Sequence, residues 1–264
     1  MKKFPFFITI LFTCGAFSAP VGDPASPNLI QQGLFLKRDS AIDFRVGYEG
    51  DFVTDGKMQQ HQNGNGRVDS YKQNTNSGTF TLNLVDRMDL YGVLGGSNAK
   101  THWRFESGES ESIHRFKVEA QDSLLWAVGA RAILYEWWHV ILGLGGRYSS
   151  AQYQPLEATL DDIDLSVAGT HFLWREWQVN VDMSYRIDLF TTYIGMKYSN
   201  ALARIGNFSL PISSDGLGSN ELTNRIPVGL FLGCSICSGD YLMLNVEGRL
   251  IDEEAVTVSA EFRF

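Results

Sequence analysis

The sequence predicts an all-β protein, a transmembrane antiparallel β-barrel of about ten strands with twelve as the alternative, and three observations carry that prediction. The last ten residues, Ala255 to Phe264, alternate apolar and polar without a break and stop on an aromatic residue. The same two-residue period returns in segment after segment from Ile42 onward, with one apolar face per strand, as expected where only one face meets lipid. Short and long connections also take turns along the chain, which places short turns on the periplasmic side and longer loops outside.

The elements follow in order. Lys2 and Lys3, the apolar run Phe4 to Thr13 and the small residues around Cys14 to Ala19 have the layout of a secretory signal peptide, cut after Ala19 or Ser18 and too short to span a membrane as a helix. The domain boundaries expected are a signal peptide over 1–19, a periplasmic N-terminal segment over 20–41 and the barrel over 42–264. Ile42, Phe44, Val46 and Tyr48 give the first apolar face. Phe80, Leu82 and Leu84 end the second strand before a turn at Asp86-Arg87, and the return begins at Leu90. Trp126 to Leu134 and Val140 to Leu144 make the next pair. Trp177, Val179, Val181, Met183, Tyr185 and Ile187 alternate most cleanly, followed by Ile194 to Tyr198, Ile226 to Leu232, Leu242 to Leu250 and the closing strand. Leu29–Leu36 and Leu156–Ala168 are weaker strand candidates that would raise the count.

The stretch Leu124–Gly146 is apolar enough to compete as a transmembrane helix. It carries Arg131 and Glu136, each costing about 2.5 to 3.5 kcal/mol near a bilayer centre, so a hairpin is the better reading. Its turn would set Tyr135, Trp137 and Trp138 in an aromatic girdle with Phe190, Tyr241, Phe262 and Phe264. A second girdle is expected from Trp103, Phe105, Tyr148, Tyr153, Phe172, Trp174 and Tyr198.

Composition suits this architecture: 264 residues are 44% hydrophobic and 12% aromatic, with 26 Gly and 7 Pro and a formal charge of −8. Strands and tight turns are favoured over helices, and the acidic balance argues against nucleic acid as a partner. Cys234 and Cys237, in Cys-Ser-Ile-Cys, form a candidate disulfide across a turn or serve in cross-linking, since an exported chain meets an oxidising compartment. The five His are scattered without ligand spacing, so no metal site and no cofactor are expected.

Strand parity assigns an inward face. Its positive members are Arg45, Arg131, Arg147, Arg186, Lys197, Arg249 and Arg263, and its negative members are Asp43, Glu49, Glu176, Asp182, Glu247 and Glu261. Such side chains set ion preference if the lumen is open, or pair across a narrow barrel and close it. Gly129, Gly143, Gly145 and Gly195 on that face would open space or ease curvature. Enzymatic readings fail on motif grounds. No G-x-S-x-G elbow exists, and Asp162-Ile-Asp164 has the spacing of a paired-carboxylate protease site but no His follows an Asp by two residues.

Several short pieces, in order along the chain, resemble one family. They are Pro20-Val-Gly-Asp-Pro-Ala-Ser-Pro, Phe44-Arg-Val-Gly-Tyr-Glu-Gly-Asp-Phe-Val, Asp86-Arg-Met-Asp-Leu, Leu94-Gly-Gly-Ser-Asn-Ala, Trp126-Ala-Val-Gly-Ala-Arg with Leu134-Tyr-Glu, Glu176-Trp-Gln-Val with Ser184-Tyr-Arg, Tyr193-Ile-Gly, and Glu247-Gly-Arg-Leu-Ile-Asp-Glu-Glu-Ala through Phe262-Arg-Phe. The match is to the chlamydial major outer membrane protein family. The resemblance implies an outer-membrane porin, often a homotrimer, that passes small solutes, contributes to a cross-linked envelope and meets lipid and lipopolysaccharide. Phe264 would be the assembly signal read by the barrel-assembly machinery. Family members are longer and richer in cysteine, which weakens the cross-linking role. A barrel of about ten strands is also narrow, because wide aqueous channels need about sixteen. A non-conducting structural or adhesive surface barrel is therefore the alternative function.

Overall fold

Alternating residues from Ile42 to the C-terminus form fourteen strands in the computed structural model, which describes residues 19–30, 32–33, 41–60, 67–106, 113–167, 169–206, 221–237 and 241–264. In chain order they are α1 (Ser26–Leu29), β1 (Ile42–Gly56), β2 (Met58–Gln60), β3 (Arg67–Leu84), β4 (Met88–Glu106), β5 (Ile113–Trp137), β6 (Val140–Tyr153), β7 (Pro155–Leu160), β8 (Ile163–Asp164), β9 (His171–Ile187), β10 (Phe190–Gly206), β11 (Glu221–Asn224), β12 (Val228–Cys237), β13 (Leu242–Leu250) and β14 (Glu253–Arg263). Ten of them close an antiparallel ring in the order β1, β3, β4, β5, β6, β9, β10, β12, β13, β14. The ring is sealed where Arg45 to Gly56 of β1 pair with Arg263 to Glu253 of β14. Closure removes every free edge in the ring, a requirement for a sheet in lipid.

The outward residues define a lipid-facing band. On β9 the exposed apolar residues run from Trp177 to Ile187. Such a run rises about 34 Å along a strand and about 26 Å across the membrane at a tilt of about 40°, close to the height of such bands in outer-membrane barrels. Its upper limit is marked by outward polar residues: Asn74 Nδ2 donates to Asn98 Oδ1 at 3.5 Å and Asn98 Nδ2 to Asp122 Oδ1 at 2.8 Å. At the lower limit Tyr135, Trp137, Trp138, Phe190, Tyr241, Phe262 and Phe264 are all exposed. They stand beside the short turns at Val85 to Arg87, Trp138 to His139 and Asp188 to Leu189. Val85 and Asp86 have φ of 55° and 53°, the left-handed values of a type I′ turn, and the Arg87 N–H donates to the Leu84 carbonyl at 3.1 Å.

The upper aromatic residues depart from expectation. Trp103, Tyr153, Phe172 and Trp174 are buried inside the barrel above the lipid band, in an apolar core with Tyr71, Phe116, Leu160 and Leu222. Ring centroids lie 5.0 Å apart for Tyr71 and Trp174, 4.6 Å for Trp103 and Phe116, and 5.5 Å for Tyr153 and Phe172. The cause is strand length: β5 has 25 residues and β4 has 19, so both outrun the membrane and need a core of their own. Only Tyr148 and Tyr198 stay outside, packed on Trp126 and Trp177 at 5.6 and 5.7 Å, and the Phe105 side chain lies outside the described residues.

The wall is uneven. β13 and β14 meet in a tight turn at Ile251 and Asp252, a short connection on the side where longer loops were expected. Above it, β2 pairs with β11, and β11 with β10, continuing the wall over the low hairpin. β7 and β8 extend the sheet beside β5 and stay out of the ring, so the weak candidate at Leu156–Ala168 does not raise the strand number. Within Leu29–Leu36 the described residues show the end of α1 and no strand. Leu124–Gly146 belongs to β5 and β6, and no helix among the described residues is long and apolar enough to cross a membrane.

Candidate functional site

The inward faces of the ten strands converge on an interior that is charged in the membrane and apolar above it. Of the residues assigned inward by parity, Asp43, Arg45, Glu49, Arg147, Glu176, Asp182, Lys197, Glu247, Arg249, Glu261 and Arg263 are buried there. Arg131 is partly buried among them, and Arg186 is half-buried at the lower rim, beside the turn after β9. Parity alone explains this, since β strands send alternate side chains to opposite faces.

The interior also holds a stretch of chain. Residues 19–30, all but the first of them from the 20–41 segment expected on the periplasmic side, run through the barrel, and all but Gly22 and Asn28 are buried. The interior offers this backbone partners that nothing else would satisfy. Val21 and Gly22 N–H groups donate to the two carboxylate oxygens of Glu247 at 3.1 and 2.8 Å. Arg45 Nη1 donates to the Ser26 carbonyl at 3.1 Å, Asn83 Nδ2 to the Pro27 carbonyl at 3.0 Å, and Arg263 Nη1 to the Ile30 carbonyl. Ala25, Leu29 and Ile30 complete an apolar cluster with Ile133, Ile141, Cys237 and Met243. Gly143 has the room that Pro24 occupies, where a side chain would collide with it. Gly129, Gly145 and Gly195 likewise accommodate Tyr91, Asn180 and Phe231, so the inward glycines serve packing and leave no open bore.

Charge networks cross the interior in layers. At the bottom, Arg263 Nη2 pairs with Asp43 at 2.7 Å. Above it Asp89 accepts from Arg45, from Arg131 Nε at 2.8 Å and from Asn83 at 2.7 Å, while Glu261 takes Arg45 and Arg131 at 3.1 and 2.9 Å. In the middle Arg147 grips Glu49 with two contacts of 3.0 Å. Tyr193 donates to Asn245 at 2.9 Å and Glu247 at 3.1 Å. Higher still, Arg249 reaches Asp51 at 2.6 Å and Glu253 at 2.5 Å, and Lys197 reaches Glu253 at 2.7 Å and Asp252 at 3.2 Å. Burying these ions is tolerable because each layer sets opposite charges within ion-pair distance.

Two of those acids arrive by a strained route. Ile251 has a φ of 83°, a region that a β-branched residue rarely adopts. The turn it makes brings Asp252 and Glu253 into the interior against Lys197. Leu250-Ile251-Asp252-Glu253 has no Gly, Pro or Asn, so no turn signal announced it. Asp51 and Asp89 share the inward parity but were not assigned, Asp89 because the return strand was expected to begin at Leu90 and begins at Met88. Asp23 and Gln178 gained meaning only once the N-terminal segment was inside.

Across the described residues eleven acidic side chains are buried against five basic ones and the partly buried Arg131. The interior is therefore net negative. A cavity of about 30 Å³ lies between Gly22, Tyr91, Arg131, Arg147 and Glu261, room for one or two waters. Among the described residues, the N-terminal segment and the charge layers fill the interior at this level.

The cysteines do not form the expected turn disulfide. Cys234 and Cys237 are not bonded to each other: both lie within β12, where a separation of three residues sends them to opposite faces. Cys237 is buried with its Sγ 3.4 Å from the Leu29 carbonyl, and Cys234 is half-exposed on the outer face. Purified protein is expected to run identically with and without reductant and to titrate two thiols after denaturation; a reductant-dependent mobility shift would contradict this arrangement.

The paired-carboxylate candidate sits far from the lumen. Asp161 and Asp162 form the turn between β7 and β8, with φ of 51° and 63°. Asp161 accepts the Arg115 N–H at 2.8 Å and lies 2.6 Å from His114 Nδ1. Those contacts, the backbone one first, hold its carboxyl below the usual range. Asp162 and Asp164 are exposed. The arrangement caps a turn and brings no nucleophile to it.

Comparison with known proteins places this architecture. A family model described as Chlamydia major outer membrane protein matches residues 160–214. The major outer membrane porin, serovar D, of Chlamydia trachomatis is 25% identical over 93% of this chain and 94% of its own. The major outer membrane porin of Chlamydia muridarum is 24% identical with the same coverage. Among solved structures, an outer membrane channel from Pseudomonas putida F1 has 12% identity and a TM-score of 0.43, over 85% of this chain and 96% of its own. The chain is thus related along almost its whole length to outer-membrane porins, and its barrel belongs in the outer membrane.

Proposed function

We propose that this chain, a relative of the chlamydial major outer membrane porins, is a porin-like outer-membrane barrel that passes small solutes and ions passively and contributes to envelope structure. The observation that carries the reading is a polar, charged interior running the height of the lipid-facing band. Side chains in such a lumen set ion preference, and the acidic surplus favours cations. Its N-terminal segment holds the path closed at rest.

A second reading, a non-conducting structural or adhesive barrel, draws on the same filled interior. Planar-bilayer recording of the refolded full chain separates the two. The porin reading expects small, discrete, salt-dependent steps with cation preference. Silence from both the full chain and a chain lacking residues 20–30 would reject it. Arg131→Glu and Arg147→Glu are expected to move the reversal potential further toward cations; an unchanged potential would reject both as lumen residues.

The remaining partners follow from the same reading. Lipid and lipopolysaccharide would contact the apolar band and its polar upper rim, and a homotrimer is the assembly that the resemblance favours. Phe264, whose N–H donates to the Phe44 carbonyl at 3.1 Å where the ring closes, would present the signal to the assembly machinery. The Asp161–His114 contact is read as structural.

A further inference from the structure

We propose that the chain is processed between Ser18 and Ala19, and that the α-ammonium released on Ala19 is held inside the barrel by Gln178 and Glu176, fastening the N-terminal segment in the lumen. The proposal stands whether or not the barrel conducts.

Three observations converge on Ala19. Signal peptidases require small residues one and three positions before the cut. Ala16 and Ser18 supply both for a cut before Ala19, whereas a cut after Ala19 would put Phe17 in the earlier position. Secondly, Ala19 is only 6% exposed, and a buried side-chain amide clasps the backbone there. Its N–H donates to Gln178 Oε1 at 3.0 Å, and Gln178 Nε2 donates to the Pro20 carbonyl at 3.1 Å. Thirdly, Ala19, Pro20, Ser149 and Glu176 line one small cavity of about 20 Å³. Glu176 is 4% exposed, and its Oε2 accepts from Ser149 Oγ at 3.2 Å. Its Oε1 has no hydrogen-bond partner among the described residues.

A peptide nitrogen at Ala19 has one hydrogen to give, and Gln178 takes it. An ammonium has three and carries a positive charge. The two added donors open onto the cavity that Glu176 also lines, where one carboxylate oxygen is an orphan and the neighbouring cation, Arg147, is held by Glu49. Leaving a buried carboxylate oxygen without a donor is costly. The released terminus satisfies it without a further side chain.

The covalent step is a hydrolysis by a membrane-bound signal peptidase before the barrel folds. Water adds across the Ser18–Ala19 amide, the leader departs with a carboxylate on Ser18, and the nitrogen of Ala19 leaves as an amine that is protonated.

The first test is intact mass and N-terminal sequencing of protein exported with its own leader and recovered from the outer membrane. A chain beginning at Ala19 is expected; any other first residue, Pro20 included, overturns the proposal. The second uses reductive methylation at neutral pH, read at the N-terminal peptide. The α-amine of the folded barrel should react about tenfold more slowly than that of the urea-unfolded chain, because reaction requires local opening. Glu176→Gln should bring the folded rate close to the unfolded one, and Glu176→Asp, which keeps the charge, should retain most of the protection. Each variant is first checked for the heat-modifiable mobility of a folded barrel. Equal rates in folded and unfolded wild type, or protection untouched by Glu176→Gln in a folded barrel, would overturn the pairing.

Discussion

A chain lacking residues 20–30 is expected to conduct several-fold more current than the full chain and to expose Cys237 to a water-soluble maleimide. The segment supplies Ala25, Leu29 and Ile30 to the cluster that covers Cys237, and the Leu29 carbonyl sits 3.4 Å from that thiol. Its removal leaves Glu247, Arg45, Asn83 and Arg263 without the backbone partners they now hold. Those groups regain partners only from water, so the vacated space must hydrate. The opened path remains narrow, since a ten-stranded ring is far below the size of wide aqueous channels. The ion pairs from Arg131 to Glu261 and from Arg147 to Glu49 also still cross it. With Asp23 gone, ten buried acids face six bases, and permeating cations should be preferred, less so as salt screens the charge. Recording in a planar bilayer and mass-spectrometric labelling give two independent measures. Unchanged conductance together with a protected Cys237 would show that residues 20–30 do not block the lumen.

Period two revealed the ring, because lipid outside imposes one apolar face on every membrane-spanning strand. Trp177 to Ile187 reads as a strand from any direction. The same rule fails above the membrane, where water replaces lipid and the apolar face turns inward. Trp103 and Trp174 are aromatic in either setting, so their identity could not tell a girdle from a core. The lumen charges were legible from parity wherever the strand was; Asp89 was missed because β4 begins two residues before the expected start at Leu90. Asp252 and Glu253 were not, because a hairpin without Gly or Pro, bent at Ile251, carries no local signal. The path of residues 19–30 was hidden for a different reason. Its fit depends on carbonyl acceptors meeting Arg45, Asn83 and Arg263, and such complementarity exists only between distant parts of the chain.

Replacing Asp89 with Asn is expected to destabilise the barrel by about 3 kcal/mol, in the range for removing one partner from a buried ion pair. Asp89 is fully buried and is the junction of the lowest complete network, holding Arg45, Arg131 and Asn83 together. Asparagine keeps the shape but not the charge, so Arg45 and Arg131 are left sharing Glu261. Its amide hydrogens would also point at guanidinium groups that only donate. A second change, Arg131→Gln, removes one of the stranded cations and should recover part of the loss. The double variant should therefore be less unstable than the two single changes together. Urea titration of protein refolded in lipid vesicles, followed by the mobility difference between folded and unfolded chain on cold gels, gives the midpoints. Losses that simply add would mean that Asp89 and Arg131 act independently, contrary to their 2.8 Å contact. A midpoint unchanged by Asp89→Asn would mean that water already screens this layer, and that the interior is wetter than its closed packing implies.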